Sequence, residues 1–180
     1  MNFIEINNLP VYDLHTEFLR LLDEKKIWWS DRGPDQICLN APENDPSNCL
    51  AGRGSLSLDW DNFYTDPHGN LQIPKRPVML KETDFNVLCT GFNDSLFEDM
   101  YNKITENYTV GRIRIMNSLP KTCLSWHEDQ TPRLHYPIKT QSGCFMVIEN
   151  ESKHLKQNQW YWTFNGSKQP RLHLIVTVLN

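Results

Sequence analysis

Several features that define whole classes of protein are missing from this sequence of 180 residues. No uninterrupted apolar run approaches the roughly 18 residues that a membrane-spanning helix needs. The first six residues, MNFIEI, contain neither a basic region nor an apolar core, so they do not resemble a secretory signal. We therefore expect neither a membrane partner nor export.

The cysteines form no recognisable pattern, since there are five of them and no two stand in C-x-x-C spacing. A disulfide framework or a zinc ribbon is therefore not expected, and the thiols fit a reducing cytoplasm, packed as small apolar side chains. Positive charge is also scarce. The formal net charge is −4, and no basic strip interleaved with aromatic residues occurs, so nucleic acid is not an expected partner.

The abundant residue types indicate a β-rich protein. The chain contains 8 Phe, 6 Tyr and 6 Trp, and 11 Pro against 8 Gly. Aromatic side chains are favoured in strands, whereas proline is unfavourable inside helices and common in turns. The length suits one domain.

Two segments nevertheless have the pattern of amphipathic helices. The first begins after Asp13, a favourable N-cap, and the second begins at Ser95, with Glu98 in capping-box spacing. Both repeat apolar residues at helical spacing, and we expect each helix to pack against a sheet rather than against the other. Between them, residues 30–75 are rich in turn residues and are predicted to be irregular. They would form either a lid over the substrate or a flexible surface insertion.

From residue 108 onward the apolar pattern has a period of two. Six short strands are predicted, with turn residues between them: residues 112–115, 122–127, 133–138, 144–148, 159–162 and 171–178. This spacing indicates an antiparallel sandwich or a jelly-roll barrel. We therefore predict a single domain, mainly β, in which a double-stranded β-helix (jelly-roll, cupin-like) core at 108–180 follows two flanking helices and the long loop within 1–107.

The residues with the chemistry of a binding site fall on these predicted strands. His127 and Asp129 are two apart, so on a strand both would project from one face and could reach one metal ion. Arg133 and His135 share a face of the next strand in the same way. Arg171 opens the last strand, where a buried guanidinium needs an anion and suits a carboxylate. Together these residues describe a pocket for a metal-chelating dicarboxylate.

Five stretches of the sequence resemble a known family: WHED at 126–129, RLHYPI at 133–138, the glycine turn at 143, FNGS at 164–167 and RLHLI at 171–175. They are similar to the aspartyl/asparaginyl β-hydroxylases, a family of Fe(II)/2-oxoglutarate-dependent oxygenases that includes free-proline hydroxylases. The resemblance covers residues 108–180.

The resemblance implies a role for each predicted site residue. His127 and Asp129 would be two of the three iron(II) ligands of a 2-His-1-carboxylate site. Arg171 would hold the far carboxylate of the cosubstrate 2-oxoglutarate, and Arg133 and His135 would contact its iron-chelating end. The implied activity is hydroxylation of an amino acid or a peptide side chain, with succinate and CO₂ as co-products. The expected partner is therefore a small molecule or a peptide.

The sequence departs from the family pattern at the third iron ligand. The family has a histidine about ten residues before the equivalent of Arg171, where this chain has Tyr161. Three explanations stay open: a short histidine-bearing segment is missing after Thr163, His154 or His173 replaces the ligand, or the site has lost it. The first is favoured, because the tryptophan-rich strand runs directly into an Asn-Gly turn. His154 is predicted to lie in a solvated turn.

Other readings of the same residues are possible. The chain could be a non-catalytic jelly-roll module that binds a small acid or a peptide at a decayed metal site, or a cupin-like enzyme with other metal chemistry. Arg112 and Arg114 share a strand face and would line the mouth of the pocket or, by default, face solvent. The sequence does not indicate the substrate or the oligomeric state.

Overall fold

A computed structural model of the protein describes residues 6, 8–120, 122, 131–148, 151–158, 164, 165 and 171–179. The predicted mainly-β chain with two helices is confirmed. The helices and strands, numbered in chain order, are α1 (Leu14–Asp23), β1 (Gln36–Cys38), β2 (Asn40–Pro42), β3 (Tyr64–Thr65), β4 (Leu71–Gln72), β5 (Phe85–Leu88), α2 (Leu96–Asn107), β6 (Val110–Ser118), β7 (Arg133–Lys139), β8 (Cys144–Ile148), β9 (Glu151–His154), β10 (Phe164–Asn165) and β11 (Arg171–Val178).

The largest sheet has four antiparallel strands in the order β1-β6-β11-β7. The last strand of the chain, β11, therefore lies between β6 and β7. One row of paired residues runs across the sheet through Ile115, Leu174 and Tyr136, and an adjacent row runs through Arg114, Ile175 and His135. Because neighbouring residues of a strand project to opposite faces, these two rows belong to different faces of the sheet.

The face that carries Leu174 packs against the helices. Ile113, Ile115, Tyr136 and Leu174 are completely buried there and belong to one apolar cluster with residues from both helices. The predicted alternation of β6, β7 and β11 is thus confirmed. Burial of this cluster is the main source of stability for the large sheet and the two helices.

The helices begin as the sequence indicates. Asp13 caps α1 by accepting from the backbone N–H of Thr16, and Ser95 caps α2 by accepting from that of Phe97. The expectation that the helices avoid each other is wrong, because Glu17 of α1 accepts a hydrogen bond of 3.2 Å from the backbone N–H of Leu96 in α2. A carboxylate at a helix N-terminus is favourable, which explains the contact.

A second sheet has three antiparallel strands in the order β10-β8-β9. The strands β6, β7, β8 and β11 confirm four of the six strands predicted after residue 108, whereas 123–127 and 159–162 lie outside the described residues. The expectation that His154 lies in a turn is wrong, because residues 151–154 form β9, paired with β8. Those residues are polar and mostly exposed, so their composition resembles that of a turn.

The prediction that residues 30–75 are irregular is wrong at residues 36–42. The strands β1 and β2 are fully buried there, β1 joins the large sheet, and β2 pairs with β5. The buried side chain of Asn40 replaces backbone pairing at this junction. Its amide donates to the carbonyls of Phe85 and Gly111 and accepts from the N–H of Ile113, at 2.7, 2.9 and 2.8 Å.

Four of the five cysteines lie within the described residues, and all four are buried: Cys38, Cys49, Cys89 and Cys144. Their predicted role as small apolar side chains is confirmed. Burial raises the pKa of the Cys38 thiol to about 11, which makes it unreactive near neutral pH. Within the part of the chain that is described, neither helix has the length and apolar character to cross a bilayer.

Candidate functional site

The face of the large sheet opposite the helices is lined by polar side chains, and we call it the polar face. Its described members are Gln36, Cys38, Arg112, Arg114, Met116, Arg133, His135, Pro137, His173, Ile175 and Thr177. Although many of these residues are polar, the face is covered rather than open to water. His135 is 6% exposed, His173 1% and Thr177 0%.

The predicted site residues are described to different extents. Arg133 and His135 lie on the polar face, as their spacing predicts, on β7, the last strand of the sheet among the described residues. For Arg171 the structure gives only the backbone, which pairs with Ser118 at the start of β11. His127 and Asp129, the predicted metal ligands, lie outside the described residues. Of the residues predicted to bind the cosubstrate, the polar face thus brings together Arg133 and His135, whose side chains are described.

Two histidines stand side by side on the polar face. His135 of β7 and His173 of β11 have their ring centroids 6.4 Å apart, with the rings nearly perpendicular. His173 shares a face of β11 with the position of Arg171. Within the described parts of the chain, no three His, Cys, Asp or Glu side chains are grouped so that they could hold a metal ion.

The third histidine considered from the sequence, His154, lies elsewhere. It is on β9, its side chain is exposed, and its Nδ1 lies 2.8 Å from the carbonyl oxygen of Cys144. The ring also contacts Phe145 edge-on, with centroids 6.1 Å apart. His154 is therefore positioned on the outer surface of the smaller sheet, and of the two proposed substitute ligands only His173 belongs to the polar face.

Arg112 on β6 is held by a complete set of partners. Its Nη2 lies 2.7 Å from Oε1 of Glu82, its Nε is within 3.1 Å of both Glu82 oxygens, and its Nη1 donates to the carbonyls of Gly52 and Gly54 at 2.7 and 2.9 Å. Burial raises the pKa of Glu82, but the hydrogen bonds and charge of Arg112 outweigh it, so that pKa lies below its ordinary value.

Arg114, two residues further along β6, has a different environment. Among the described residues its only hydrogen-bond partner is Gln36, whose Oε1 accepts from Nη1 at 3.2 Å. The Nε atom is shielded from solvent and has no acceptor. Burial, followed by the charge of Arg112, lowers the pKa of Arg114 to about 10. The hydrogen bond to Gln36 and the more distant charge of Glu82 therefore compensate for the desolvation of this guanidinium only in part.

No family model matches the chain, and a comparison with the curated proteins also finds no match. The residues themselves therefore carry the functional argument.

The expectation that both arginines face solvent is wrong for Arg112, whereas Arg114 is partly exposed, with its Nε shielded. Arg112 is 6% exposed, and residues 50–54 cover this end of the polar face. A Cβ on Gly52 would lie 2.6 Å from the Phe85 ring and 2.9 Å from Cδ of Arg112, so only glycine permits this approach. The sequence did contain a signal: the Arg-Ile-Arg-Ile alternation places both arginines on one face of a strand that is apolar on the other.

Proposed function

We propose that this protein is an Fe(II)/2-oxoglutarate-dependent dioxygenase that hydroxylates an amino acid or a peptide side chain, on a jelly-roll core. The observation that carries the proposal is the covered polar face, where guanidinium and imidazole groups from three neighbouring strands are gathered away from water. Buried cationic groups require anionic partners, and 2-oxoglutarate has two carboxylates.

The order of the strands supports the jelly roll. A ribbon of eight strands folded back on itself pairs strand 1 with 8, 2 with 7, 3 with 6 and 4 with 5. When it wraps into a barrel, alternate pairs enter alternate sheets, which gives the orders 1-8-3-6 and 2-7-4-5.

The described strands from β6 onward match this scheme. If β6, β7, β8, β9, β10 and β11 are strands 1, 3, 4, 5, 7 and 8, the observed orders β6-β11-β7 and β10-β8-β9 become 1-8-3 and 7-4-5. Strands 2 and 6 would then be the segments predicted at 122–127 and 159–162, which, apart from residue 122, lie outside the described residues. The space between the two sheets is where jelly-roll proteins place a ligand.

The residues on the polar face fit the cosubstrate. Arg133 is partly buried and its Nη1 donates to Oγ1 of Thr131 at 2.8 Å, which orients the guanidinium along the edge of β7. His135, one step further into the sheet, is more deeply buried. The two side chains can bind one carboxylate from adjacent positions while the covered sheet excludes water. Arg171 would hold the other carboxylate, as its position at the start of β11 suggests.

His127 and Asp129 would hold iron(II), and His173 is better placed than His154 to complete the set, because it lies beside His135 on the polar face. When bound, iron(II) supplies the activation of O₂ that is coupled to conversion of 2-oxoglutarate to succinate and CO₂. The chain's own contribution is to orient 2-oxoglutarate through Arg133, His135 and Arg171 and to keep the reaction away from bulk water.

A second candidate function is supported by Tyr161, which stands where the family has its distal histidine. A chain without that ligand could bind a small acid on the polar face without catalysis. Binding of 2-oxoglutarate without iron binding or succinate formation would favour this alternative.

The test is succinate formation from 2-oxoglutarate with Fe(II), O₂ and a panel of amino acids and peptides. We expect Asp129→Ala to abolish it. His15→Ala is the matched control, because His15 and Glu17 have the same His-x-acid spacing but lie on α1, where residues two apart diverge. Undiminished turnover in Asp129→Ala would reject the assignment.

A further inference from the structure

The two arginines of β6 lie on the same face, two residues apart, yet only Arg112 has a carboxylate partner among the described residues. Arg112 is neutralised by Glu82 at 2.7 Å and bound by two backbone carbonyls. Arg114 has one neutral amide oxygen at 3.2 Å. Stability alone does not account for an arginine with a shielded Nε in this state, because replacing a buried charged group by an apolar side chain of similar volume is often neutral or stabilising.

One edge of the Arg114 guanidinium has no acceptor among the described residues. Its Nη1 donates to Gln36, whereas Nε, which is shielded from solvent, and Nη2 donate to no described residue. These two N–H groups point in parallel from the same side, and this pair matches the two oxygens of a carboxylate.

Gln36 fixes the orientation of that edge. Its Oε1 accepts simultaneously from Nη1 of Arg114 and from the backbone N–H of Gly54, at 3.2 and 2.9 Å. These two hydrogen bonds hold the oxygen in place, and Gln36 itself is 8% exposed. Gly54 is also bonded to Arg112, so the segment at 50–54 links the paired arginine to the unpaired one.

Donors are in excess around this segment. A Cβ built on Gly54 would lie 2.5 Å from Nε1 of Trp60, and that indole nitrogen is shielded and has no acceptor among the described residues. The same is true of Nε of Arg53, the residue before Gly54. Shielded N–H donors that have no acceptor among the described residues therefore recur in and beside this segment.

We propose that Arg114, oriented by Gln36, binds the carboxylate of the substrate, so that the substrate is a small molecule with a free carboxylate rather than a side chain within a polypeptide. That the bound carboxylate belongs to the substrate rests on the proposed function. That Arg114 binds a carboxylate rests on the contacts described above. Arg114 lies in one row with Ile175 and His135, which places Ile175 between it and the residues assigned to 2-oxoglutarate.

The site can be tested without turnover. In the full-length protein labelled with ¹⁵N, the Nε–H resonance of Arg114 is assigned by its absence from Arg114→Met. We expect acetate to shift this resonance saturably at constant ionic strength, and the isosteric neutral acetamide to leave it in place. If the Arg114 resonance does not shift with acetate, or shifts equally with acetamide, the inference is overturned.

The second arm separates this site from that of the cosubstrate. Arg114→Met is expected to keep the affinity for 2-oxoglutarate, titrated anaerobically with Fe(II), within about twofold, while it weakens acetate binding by about 30-fold or more. Loss of 2-oxoglutarate binding in Arg114→Met would assign Arg114 to the cosubstrate and overturn the inference. If the wild-type protein binds no 2-oxoglutarate at all, the proposed function fails, whereas the acetate experiment still decides the role of Arg114.

Arg114→Lys is the second variant, because it keeps the charge but not the two parallel donors. We expect it to bind acetate more weakly than the wild-type protein does. Acetate affinity equal to that of the wild-type protein would contradict recognition through the Nε–Nη2 edge.

Discussion

The two faces of the large sheet are formed by the same strands but bury different chemistry. On the helix side, Ile113, Ile115 and Leu174 are enclosed by apolar groups, and each contributes to stability by leaving water. On the polar face, His135 and His173 are buried to a similar degree, and burial of polar groups opposes folding unless hydrogen bonds compensate for it. Burial alone therefore does not identify an apolar core, because the two faces differ in the chemistry of the side chains that they bury.

Within the polar face, Arg112 and Arg114 differ in how their charge is compensated, although they are only two residues apart. Removing one partner of a buried ion pair leaves the other uncompensated, so Arg112→Met is expected to lower the free energy of unfolding by about 3–5 kcal/mol. Arg114→Met is the matched variant and should be neutral or stabilising. Urea denaturation of both variants provides the measurement. Equal destabilisation would mean that Arg114, like Arg112, serves the fold.

The helix side is tested by Leu174→Ala. Leu174 is completely buried between the sheet and the helices, and such truncations lower the free energy of unfolding by about 2–5 kcal/mol through lost transfer energy and the cavity left behind. Leu19→Ala is the control, since Leu19 on α1 is 52% exposed and should change stability by no more than about 0.5 kcal/mol. A Leu174→Ala protein as stable as the control would contradict the assignment of this face as the core.

The segment before α1 is attached to the large sheet by hydrogen bonds to Tyr136, and we expect their loss to cost less stability than the truncation of Leu174. The hydroxyl of Tyr136 accepts from the backbone N–H of Tyr12 at 3.0 Å and donates to its carbonyl at 2.8 Å. Tyr136→Phe removes both hydrogen bonds, so we expect a loss of about 1–2 kcal/mol. Amide hydrogen exchange should be accelerated near Tyr12 and unchanged in β6. Uniform acceleration throughout the protein would instead indicate a global effect.

The smallest expected effect concerns acid. Glu82 has a folded-state pKa below its ordinary 4.5, so its ion pair with Arg112 contributes stability above pH 4.5, and this contribution is lost as pH falls through the folded-state value. The difference in free energy of unfolding between the wild-type protein and Glu82→Gln should therefore be constant near neutral pH and shrink below pH 4.5. Urea denaturation at several pH values measures it. A difference that stays constant in acid would contradict the lowered pKa.

Local sequence patterns predicted much of this fold. The period-two alternation located β6, β7, β8 and β11, and Asp13 and Ser95 marked the helix starts, because these signals depend on neighbouring residues. The turn-rich composition around β1 and β2 concealed strands whose pairing partners are distant in the chain, and the polar residues of β9 concealed a strand that pairs with its neighbour β8. Arg133 and His135 were placed on one face by their spacing, whereas the different environments of Arg112 and Arg114 could not be predicted.

What the sequence by itself determined is therefore the face to which each strand residue projects, since that depends on backbone geometry alone. It also supplied a resemblance that stays a prediction at His127 and Asp129. The tertiary structure decided which face is covered by helices, which arginine pairs with Glu82, and which donates, among the described residues, only to Gln36. The physical reason is that compensation of a buried charge depends on groups brought together by folding: Glu82 is thirty residues from Arg112 in sequence and 2.7 Å from it in space.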